Sequence, residues 1–303
     1  MIRRCILAGV TGVLIVVSLG ATAGTSIRYP VNWDVITAMA TGVTRPGVPP
    51  SGANIQGCRP NSQHPDPVVL VHGIFGNQND YWQAMAPTLA NAGYCVYTFT
   101  YGQTGYSDGI GGLTSLYASA QQLAAFIRDV LAQSNSKQVD IVGHSEGGLL
   151  PRVYMRYDDG APYVHTFVAI APPNNAPPSV SGLLSILELV PGSTNLVGAG
   201  CTSCGQMLDP GFYGQLNQGG TTYATVRYTV IVSDADEVVT PPQADSYLPT
   251  GPNVTNESVQ NFCPRDRVGH LGEIYDSDIV QLVINALSPA RATPIRCSSG
   301  FPF

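Results

Sequence analysis

Charged side chains are scarce in this sequence. Asp, Glu, Lys and Arg together make up 11% of the 303 residues, whereas roughly 25% is usual in soluble domains. The 14 basic and 20 acidic residues give a net charge of −6 and form no basic stripe. Because a protein that binds nucleic acid needs clustered positive charge, we expect no nucleic-acid partner. Glycine and proline, with 33 and 24 residues, are too few for a disordered low-complexity chain, so the sequence predicts a folded protein.

Long hydrophobic runs are also missing, except at the N-terminus. Arg3 and Arg4 precede an apolar run over residues 5–19, and residues 21–23 form the small-x-small pattern of a signal peptidase site. The run is shorter than the roughly 20 residues that a membrane-spanning helix needs. We therefore expect residues 1–23 to be a signal peptide, removed from a secreted, extracellular protein whose mature chain has no transmembrane segment. An uncleaved membrane anchor is the alternative interpretation.

Cysteine usage agrees with export. Without Cys5 in the predicted signal peptide, six of the seven cysteines remain, and an even number in an exported chain indicates disulfides. The sequence alone selects none of the many pairings that six cysteines allow. Our working hypothesis pairs Cys58–Cys95, Cys201–Cys204 and Cys263–Cys297. The alternative for the Cys201-x-x-Cys204 motif is a zinc or redox site, but neither a second close pair nor a preceding strand is evident.

Short apolar runs alternate with helical patterns along the chain. Strands are predicted at 68–71, 94–101, 139–142, 164–170 and 226–232. Helices are predicted at 80–91, 116–133, 149–157 and 276–287. This alternation is typical of an α/β fold with a mostly parallel central sheet and helices on both faces. We expect one such domain over residues 24–303, with a cap or lid insertion at about 172–225, where the alternation lapses.

The strongest chemical signal is the pattern Gly143-His144-Ser145-Glu146-Gly147 between a predicted strand and a predicted helix. A strand that turns at once into a helix strains the serine backbone, and bulky residues at the two glycine positions would clash. Such a turn raises the serine hydroxyl at a helix N-terminus, where backbone N–H groups stabilise an oxyanion. We therefore predict Ser145 as a catalytic nucleophile and the N–H group of Glu146 as an oxyanion donor, in preference to a structural turn.

A serine nucleophile needs a base and an orienting carboxylate, and in this architecture the acid and then the histidine follow it along the chain. His270 is the histidine well downstream of the nucleophile, in a loop before the last predicted helix. It is the predicted base. Three acids follow the strand at 226–232, and we choose Asp236, because the apolar residues after it would hold its loop against the sheet. Asp234 and Glu237 remain alternatives.

An oxyanion hole needs a second N–H donor. Residues 72–76 follow the predicted strand at 68–71, at the edge where open α/β sheets bind ligands. The two glycines of this segment allow the backbone to approach a substrate closely. We predict the N–H group of Ile74 as the second donor, with Phe75 as the alternative.

Four motifs together resemble the secreted bacterial α/β-hydrolase lipases, in particular the actinobacterial class 2 lipases. They are residues 69–76 (VLVHGIFG), 143–148 (GHSEGG), 236–241 (DEVVTP) and 269–271 (GHL), within a resemblance that covers about 58–289. It implies an α/β-hydrolase fold and the hydrolysis of triacylglycerols or other carboxylic esters. It also implies the same roles for Ser145, Asp236, His270, Ile74 and Glu146. Some of these relatives hold a structural calcium ion, but no clear acidic cluster in the sequence indicates one.

The sequence thus predicts a secreted serine ester hydrolase, a lipase or esterase that forms an acyl-enzyme. We expect a monomer that acts on lipid or other ester substrates without a cofactor or metal. An acyltransferase with the same triad and a catalytically inactive binding protein on a hydrolase scaffold are the alternatives. The apolar segment 180–190 has two interpretations, a mobile lid over the acyl pocket and a buried cap helix.

Overall fold

A six-stranded parallel sheet forms the centre of the protein, for which a computed structural model describes residues 28–189 and 200–302. The strands are β1 (Val68–Val71), β2 (Val96–Thr98), β3 (Val139–His144), β4 (Val164–Ile170), β5 (Arg227–Val232) and β6 (Val254–Ser258). They lie in the order β2-β1-β3-β4-β5-β6, and each neighbouring pair is parallel. The predicted α/β class with a mostly parallel sheet is confirmed. The predicted signal peptide, residues 1–23, lies outside the described residues.

Helices cover both faces of the sheet. In chain order they are α1 (Val35–Thr44), α2 (Gln78–Tyr81), α3 (Met85–Asn91), α4 (Leu116–Ser134), α5 (Glu146–Tyr157), α6 (Val180–Leu189), α7 (Thr202–Met207), α8 (Pro210–Asn217), α9 (Pro242–Ser246) and α10 (Ser277–Leu287). Successive strand residues face opposite sides of a sheet. Val69 and Val71 belong to a core shared with α4 and α5, whereas Val68 and Leu70 belong to a core shared with α1, α3 and α10. The predicted two-sided arrangement is therefore present.

Several elements lie where the sequence pattern predicts them. Strand β4 covers residues 164–170, and α4 covers the predicted 116–133 with one residue more. Helix α5 begins at Glu146 rather than at residue 149, because its first turn contains two glycines that add nothing to an apolar period. Strand β3 likewise extends to His144, directly before the serine turn. The strand–turn–helix context of the Gly-x-Ser-x-Gly motif is thus tighter than the sequence pattern indicates.

Other elements differ from the prediction. The helix predicted at 80–91 is divided into α2 and α3, and the strand predicted at 94–101 shortens to β2. Helix α1 was not predicted, since apolar residues such as Ile36 (63% exposed) and Val43 (52% exposed) lie outside its buried face. Strand β6 was not predicted either, because it is an edge strand whose residues are mostly polar and half-buried. Both elements lack the apolar periodicity on which the prediction depended.

Three disulfides join the six cysteines as the working hypothesis predicts: Cys58–Cys95, Cys201–Cys204 and Cys263–Cys297. Their Cα–Cα distances of 5.7, 5.3 and 5.4 Å are in the usual range for a disulfide. The first bond ties the segment before β1 to the start of β2. The third ties the C-terminal tail to the loop that leads into His270, so it supports the segment that carries the predicted base.

The chain between β4 and β5 contains α6, α7 and α8, at the position of the predicted insertion at 172–225. Helix α7 contacts α4, and α8 contacts α5, so both lie against helices of one face of the sheet. Residues 190–199, which include the end of the predicted segment 180–190, lie outside the described residues. None of the described helices is long and apolar enough to cross a membrane.

Candidate active site

Ser145 occupies a strained turn between β3 and α5. Its backbone has φ +56° and ψ −124°, a region that non-glycine residues rarely adopt. A Cβ atom added to Gly143 would lie 1.9 Å from the carbonyl oxygen of Gly147, and one added to Gly147 would lie 2.1 Å from that of Val71. Both positions therefore need glycine, as the motif predicts. The turn presents Ser145 at the N-terminus of α5, where the first N–H groups have no partners within the helix.

His270 and Asp236 form a buried pair. His270 Nδ1 lies 2.9 Å from Asp236 Oδ2, and both side chains are fully buried. Asp236 Oδ1 accepts hydrogen bonds from the N–H groups of Val238 at 2.8 Å and Val239 at 3.0 Å. The apolar residues after Asp236 thus hold its carboxylate through their backbone as well as through packing. This carboxylate is fixed at the correct nitrogen to orient the imidazole of His270.

The two alternative acids have other partners. Asp234 Oδ1 accepts hydrogen bonds from the hydroxyl of Ser258 at 2.7 Å and from the side-chain amide of Gln243. Glu237 Oε2 accepts the backbone N–H of His270 at 3.2 Å. Glu237 therefore contacts the backbone of His270 and not its ring. Of the three acids considered, Asp236 is the one that contacts the imidazole.

The second ring nitrogen of His270 is left for another partner. Nε2 is buried and has no hydrogen-bond partner among the described residues. The ring centroids of His144 and His270 are 4.6 Å apart, so His270 lies next to the turn that carries Ser145. Within the described chain, Ser145 and His270 Nε2 are not hydrogen-bonded to each other. Because catalytic hydrogen bonds are often long before a substrate binds, the arrangement is compatible with a general base.

Two backbone N–H groups near Ser145 have no acceptor within the residues that the structure describes. A Cβ atom on Gly73 would lie 3.1 Å from Ser145 Cβ, so the loop after β1 lies directly against the nucleophile. The N–H of Phe75 donates to a carbonyl group in the loop after β2 at 3.1 Å. The N–H groups of Ile74 and Glu146 donate to no acceptor in the described ranges. Ile74, rather than Phe75, therefore has the unpaired N–H that an oxyanion donor needs.

A second histidine–carboxylate pair lies behind the first, and the sequence analysis did not identify it. His144 Nε2 lies 3.3 Å from Glu273 Oε2, with both side chains fully buried. Burial and the neighbouring His270 lower the pKa of His144, and burial raises the pKa of Glu273, so the pair is favoured in its neutral form. Glu273 Oε1 also accepts the N–H of Ser233 at 3.0 Å. The pair therefore ties the turn after His270 to the end of β5; the one available sequence signal was an acid three residues after the predicted base.

A narrow apolar cleft lies beside the loop that carries Ile74. Its walls come from α1, from this loop, from Leu271 after the predicted base, and from Ile186 of α6. Its volume is about 20 Å³, close to the space of one water molecule. The lining is mostly apolar, with Asp80, Tyr81 and Tyr275 as its polar members, and it suits a hydrocarbon chain better than a polar group.

Helix α6 covers this cleft with one apolar face and exposes another. Leu183, Ile186 and Leu187 are buried, whereas Val180 and Leu184 are 59% and 54% exposed. The helix also packs on the loop of the predicted acid, since a Cβ atom on Gly182 would lie 2.6 Å from the carbonyl oxygen of Glu237. The buried inner face is what the cap-helix interpretation predicts. The exposed apolar outer face is what the lid interpretation predicts.

One buried acidic cluster was not recognised in the sequence. Asp266, Asp276 and Asp278 are buried, with a carboxylate oxygen from each within 4.8 Å of the others. Burial and the neighbouring carboxylates raise the pKa of Asp266 to about 6. Carboxylate oxygens suit Ca²⁺, but here Asp276 caps α10 and Asp278 accepts the N–H of Ser298 at 2.8 Å. Hydrogen bonds from protein groups occupy five of the six carboxylate oxygens, and Oδ2 of Asp266 is the one without a partner among the described residues. Since five oxygens are already satisfied, we assign no metal to the cluster.

Comparison with known sequences gives one family. A sequence profile described as "Lipase (class 2)" matches residues 65–281. A triacylglycerol lipase of Pseudarthrobacter phenanthrenivorans is 35% identical over 91 residues, which are 28% of this chain and 27% of that one. A triacylglycerol lipase of Burkholderia plantarii is also 35% identical over 91 residues, 28% of this chain and 24% of that one. The matched segment thus spans about a quarter of the length of these curated relatives.

Comparison with solved structures gives the same fold. Lipase B of Aspergillus fumigatus superposes with a TM-score of 0.57 and 20% identity, over 84% of this chain and 58% of that one. The mature form of the Bacillus licheniformis lipase BlEst2 superposes with a TM-score of 0.54 and 15% identity, over 78% of this chain and 96% of that one. At these identities the likeness concerns the fold, which is that of the α/β hydrolases.

Proposed function

This chain belongs to the class 2 lipase family, and from that premise we propose that it is a secreted serine hydrolase of carboxylic esters, with acylglycerols as the expected substrates. The proposal is carried chiefly by the contact of His270 Nδ1 with Asp236, together with the buried Nε2 next to the serine turn, which has no partner among residues 28–189 and 200–302. A base oriented at one nitrogen and unoccupied at the other is what activation of a serine hydroxyl requires.

The proposed reaction is acyl transfer through the side chain of Ser145. Its Oγ attacks the ester carbonyl carbon, and its proton passes to His270 Nε2, while Asp236 stabilises the imidazolium that forms. The carbonyl oxygen becomes an oxyanion that accepts hydrogen bonds from the N–H groups of Ile74 and Glu146. The C–O bond to the alcohol then breaks, and His270 returns the proton to the leaving oxygen. Water cleaves the acyl-enzyme by the same steps.

The substrate class is inferred from the apolar cleft. Ile74, whose N–H is a proposed oxyanion donor, and Leu271, next to the predicted base, line this cleft together with residues of α1 and α6. An acyl chain bound in the cleft therefore has its carbonyl group near Ser145. Because the closed cleft holds about one water molecule, Ile186 must move before a long chain enters. We take residues 172–225 as a cap on a single domain of residues 24–303. The three disulfides suit an oxidising, extracellular location, and we expect a monomer.

The first experiment is active-site labelling of the purified chain with a fluorophosphonate. We expect one label per chain at Ser145, its loss in Ser145→Ala, and full labelling of the control Ser136→Ala, a serine in the loop after α4. Turnover of p-nitrophenyl esters of increasing chain length and of emulsified triolein should fall at least about 10⁴-fold in Ser145→Ala.

The same assays separate the alternatives. Product esters formed from an added acceptor alcohol in place of free acid would assign the triad to an acyltransferase. A wild-type chain that is folded but neither labelled nor active would be a binding protein on a hydrolase scaffold, and the proposal would be wrong.

A further inference from the structure

The carboxyl group of Glu146 is buried beside the loop of residues 72–76, and the proposed reaction uses only its backbone N–H. Its Oε1 lies 3.0 Å from the hydroxyl oxygen of Tyr101. Its Oε2 is buried and has no hydrogen-bond partner in the described ranges, because the nearby hydroxyl of Ser203 donates to the carbonyl oxygen of Gly112. No described basic residue forms an ion pair with it. Burial raises the pKa of Glu146 to about 8, since a charge without a cation is costly in such a site.

The hydrogen bonds of Tyr101 indicate which group carries the proton. Its hydroxyl oxygen lies 2.8 Å from the carbonyl oxygen of His72 and 3.0 Å from Glu146 Oε1. A tyrosine hydroxyl has a single hydrogen, and a carbonyl oxygen can only accept one. When Tyr101 donates to His72, its contact with Glu146 is a hydrogen bond only if Glu146 is protonated and donates to Tyr101. A neutral Glu146 therefore satisfies both contacts, whereas a carboxylate competes with the His72 carbonyl for one hydrogen.

Tyr101 holds the start of the loop that carries the proposed oxyanion donor. Its backbone N–H donates to His72 Nε2 at 3.2 Å, and the two rings are stacked with their centroids 4.3 Å apart. Gly112 packs between Ile74 and the side chain of Glu146. A Cβ atom on Gly112 would lie 2.8 Å from Ile74 Cα and 3.2 Å from Glu146 Oε1. The Glu146 carboxyl group and Ile74 therefore both pack against the backbone of Gly112.

We propose that Glu146 is a positioning residue whose neutral carboxyl group donates a hydrogen bond to Tyr101 and so holds the oxyanion loop, and whose ionisation at alkaline pH stops hydrolysis. A carboxylate at this position draws the Tyr101 hydrogen away from the His72 carbonyl. The first residue of the loop then loses a hydrogen bond, and the N–H of Ile74 is no longer fixed at the oxyanion. This inference rests on the proposed ester hydrolysis.

The other groups that face Glu146 do not titrate in the same range. They are Tyr101 in the loop after β2, Tyr81 in α2, Tyr213 in α8 and Ser203 in α7. Burial raises the pKa of all three tyrosines above their usual value, and it lowers the pKa of the adjacent His72 to about 4. Over the neutral and mildly alkaline range these groups therefore stay uncharged, and Glu146 is the one whose charge changes.

The test is the pH profile of kcat in the full chain, with each variant normalised to its own maximum. The wild type should fall to about one tenth of its maximum one pH unit above the transition near pH 8. In Glu146→Gln the side-chain amide still donates to Tyr101 but cannot ionise, so the alkaline fall should disappear. Glu257→Gln is the matched control. Glu257 lies on the edge strand β6, and burial raises its pKa too, but it should leave the alkaline fall in place.

A second measurement does not depend on catalysis. The infrared difference spectrum of wild type minus Glu146→Gln should contain a carboxylic-acid C=O band at neutral pH that converts to carboxylate bands near pH 8. An ionised Glu146 at neutral pH, or an unchanged alkaline fall in an active Glu146→Gln, would overturn the inference. If the wild type is inactive at every pH, the proposed hydrolysis is wrong, and the infrared band alone decides the protonation state.

Discussion

Two histidine–aspartate clusters lie at opposite edges of the same sheet. At the carboxyl edge, His270 contacts a single carboxylate, Asp236, and both side chains are fully buried. At the amino edge, His165 near the start of β4 contacts two carboxylates, with Nδ1 2.9 Å from Asp66 and 3.3 Å from Asp140. The His165 side chain is 41% exposed. The same residue types thus meet in two environments within one molecule.

The difference shows that a histidine next to an acid is not by itself a base. Interactions with Asp140 and Asp66 raise the pKa of His165 to about 9, so its imidazole is protonated at neutral pH and cannot accept a proton. His270 has one carboxylate at Nδ1, and its buried Nε2 beside the strained serine turn has no hydrogen-bond partner in the part of the chain that the structure describes. The proposed catalytic pair thus differs from the amino-edge cluster in the number of neighbouring carboxylates and in the ring nitrogen that has no partner among the described residues.

The largest expected effect comes from deleting each imidazole in turn. His270→Ala should lower kcat/KM for p-nitrophenyl esters by about 10⁵-fold, because it removes the only proposed proton acceptor for Ser145. His165→Ala should change it by less than about threefold, because its ring lies at the other edge of the sheet. Equal losses in the two folded variants would contradict the comparison.

Replacing one aspartate of each cluster with asparagine tests the same difference, and we expect a smaller loss of activity than from removing the imidazole of His270. Asp236→Asn keeps an oxygen for the N–H groups of Val238 and Val239 but loses the charge that selects the His270 tautomer, so kcat should fall by about 10⁴-fold. Asp140→Asn, the matched change at the amino edge, should keep most of the wild-type kcat. Near-normal kcat in Asp236→Asn would show that Asp236 does not have the role of the acid.

The smallest effect is on stability, and it belongs to the amino edge. His165 has a folded pKa of about 9 against an unfolded value of roughly 6.5. Its stabilising contribution is therefore complete below about pH 6.5 and is lost as the pH rises through about 9. Because the side chain is 41% exposed, solvent screening should limit this contribution to less than about 1 kcal/mol. Urea unfolding of wild type and His165→Gln at several pH values measures it.

The control for this measurement is His64→Gln. Burial, followed by the charge of Arg291, lowers the pKa of His64, so its contribution is lost as the pH falls through the range below about 6.5 and not as the pH rises. His64→Gln should keep the alkaline loss of stability, and His165→Gln should reduce it. Parallel curves for wild type and His165→Gln would show that the amino-edge cluster does not hold a proton.

The parts of the site that could be predicted from the sequence are those with local causes. The turn at Ser145 follows from glycine at 143 and 147, where a side chain would strike backbone atoms within a few ångströms. Strand β1 was predicted at residues 68–71 from one continuous apolar run and lies there. In contrast, α1 forms a wall of the cleft and β6 forms an edge of the sheet. The exposed residues of α1 and the polar residues of β6 show no apolar periodicity. Their positions depend on packing against segments that are distant in the chain.

The primary structure by itself determined the fold class, the strained serine turn and the order along the chain of the proposed nucleophile, acid and base. Steric limits on a few neighbouring residues and the alternation of apolar runs are sufficient for these features. Only the tertiary structure shows that Asp236 and not its neighbours contacts the His270 ring, that Phe75 and not Ile74 donates its N–H to a carbonyl group, and that Tyr101 meets Glu146. Each of these choices depends on burial and on hydrogen bonds between residues about 30 or more positions apart, and no local pattern encodes which distant atoms will meet.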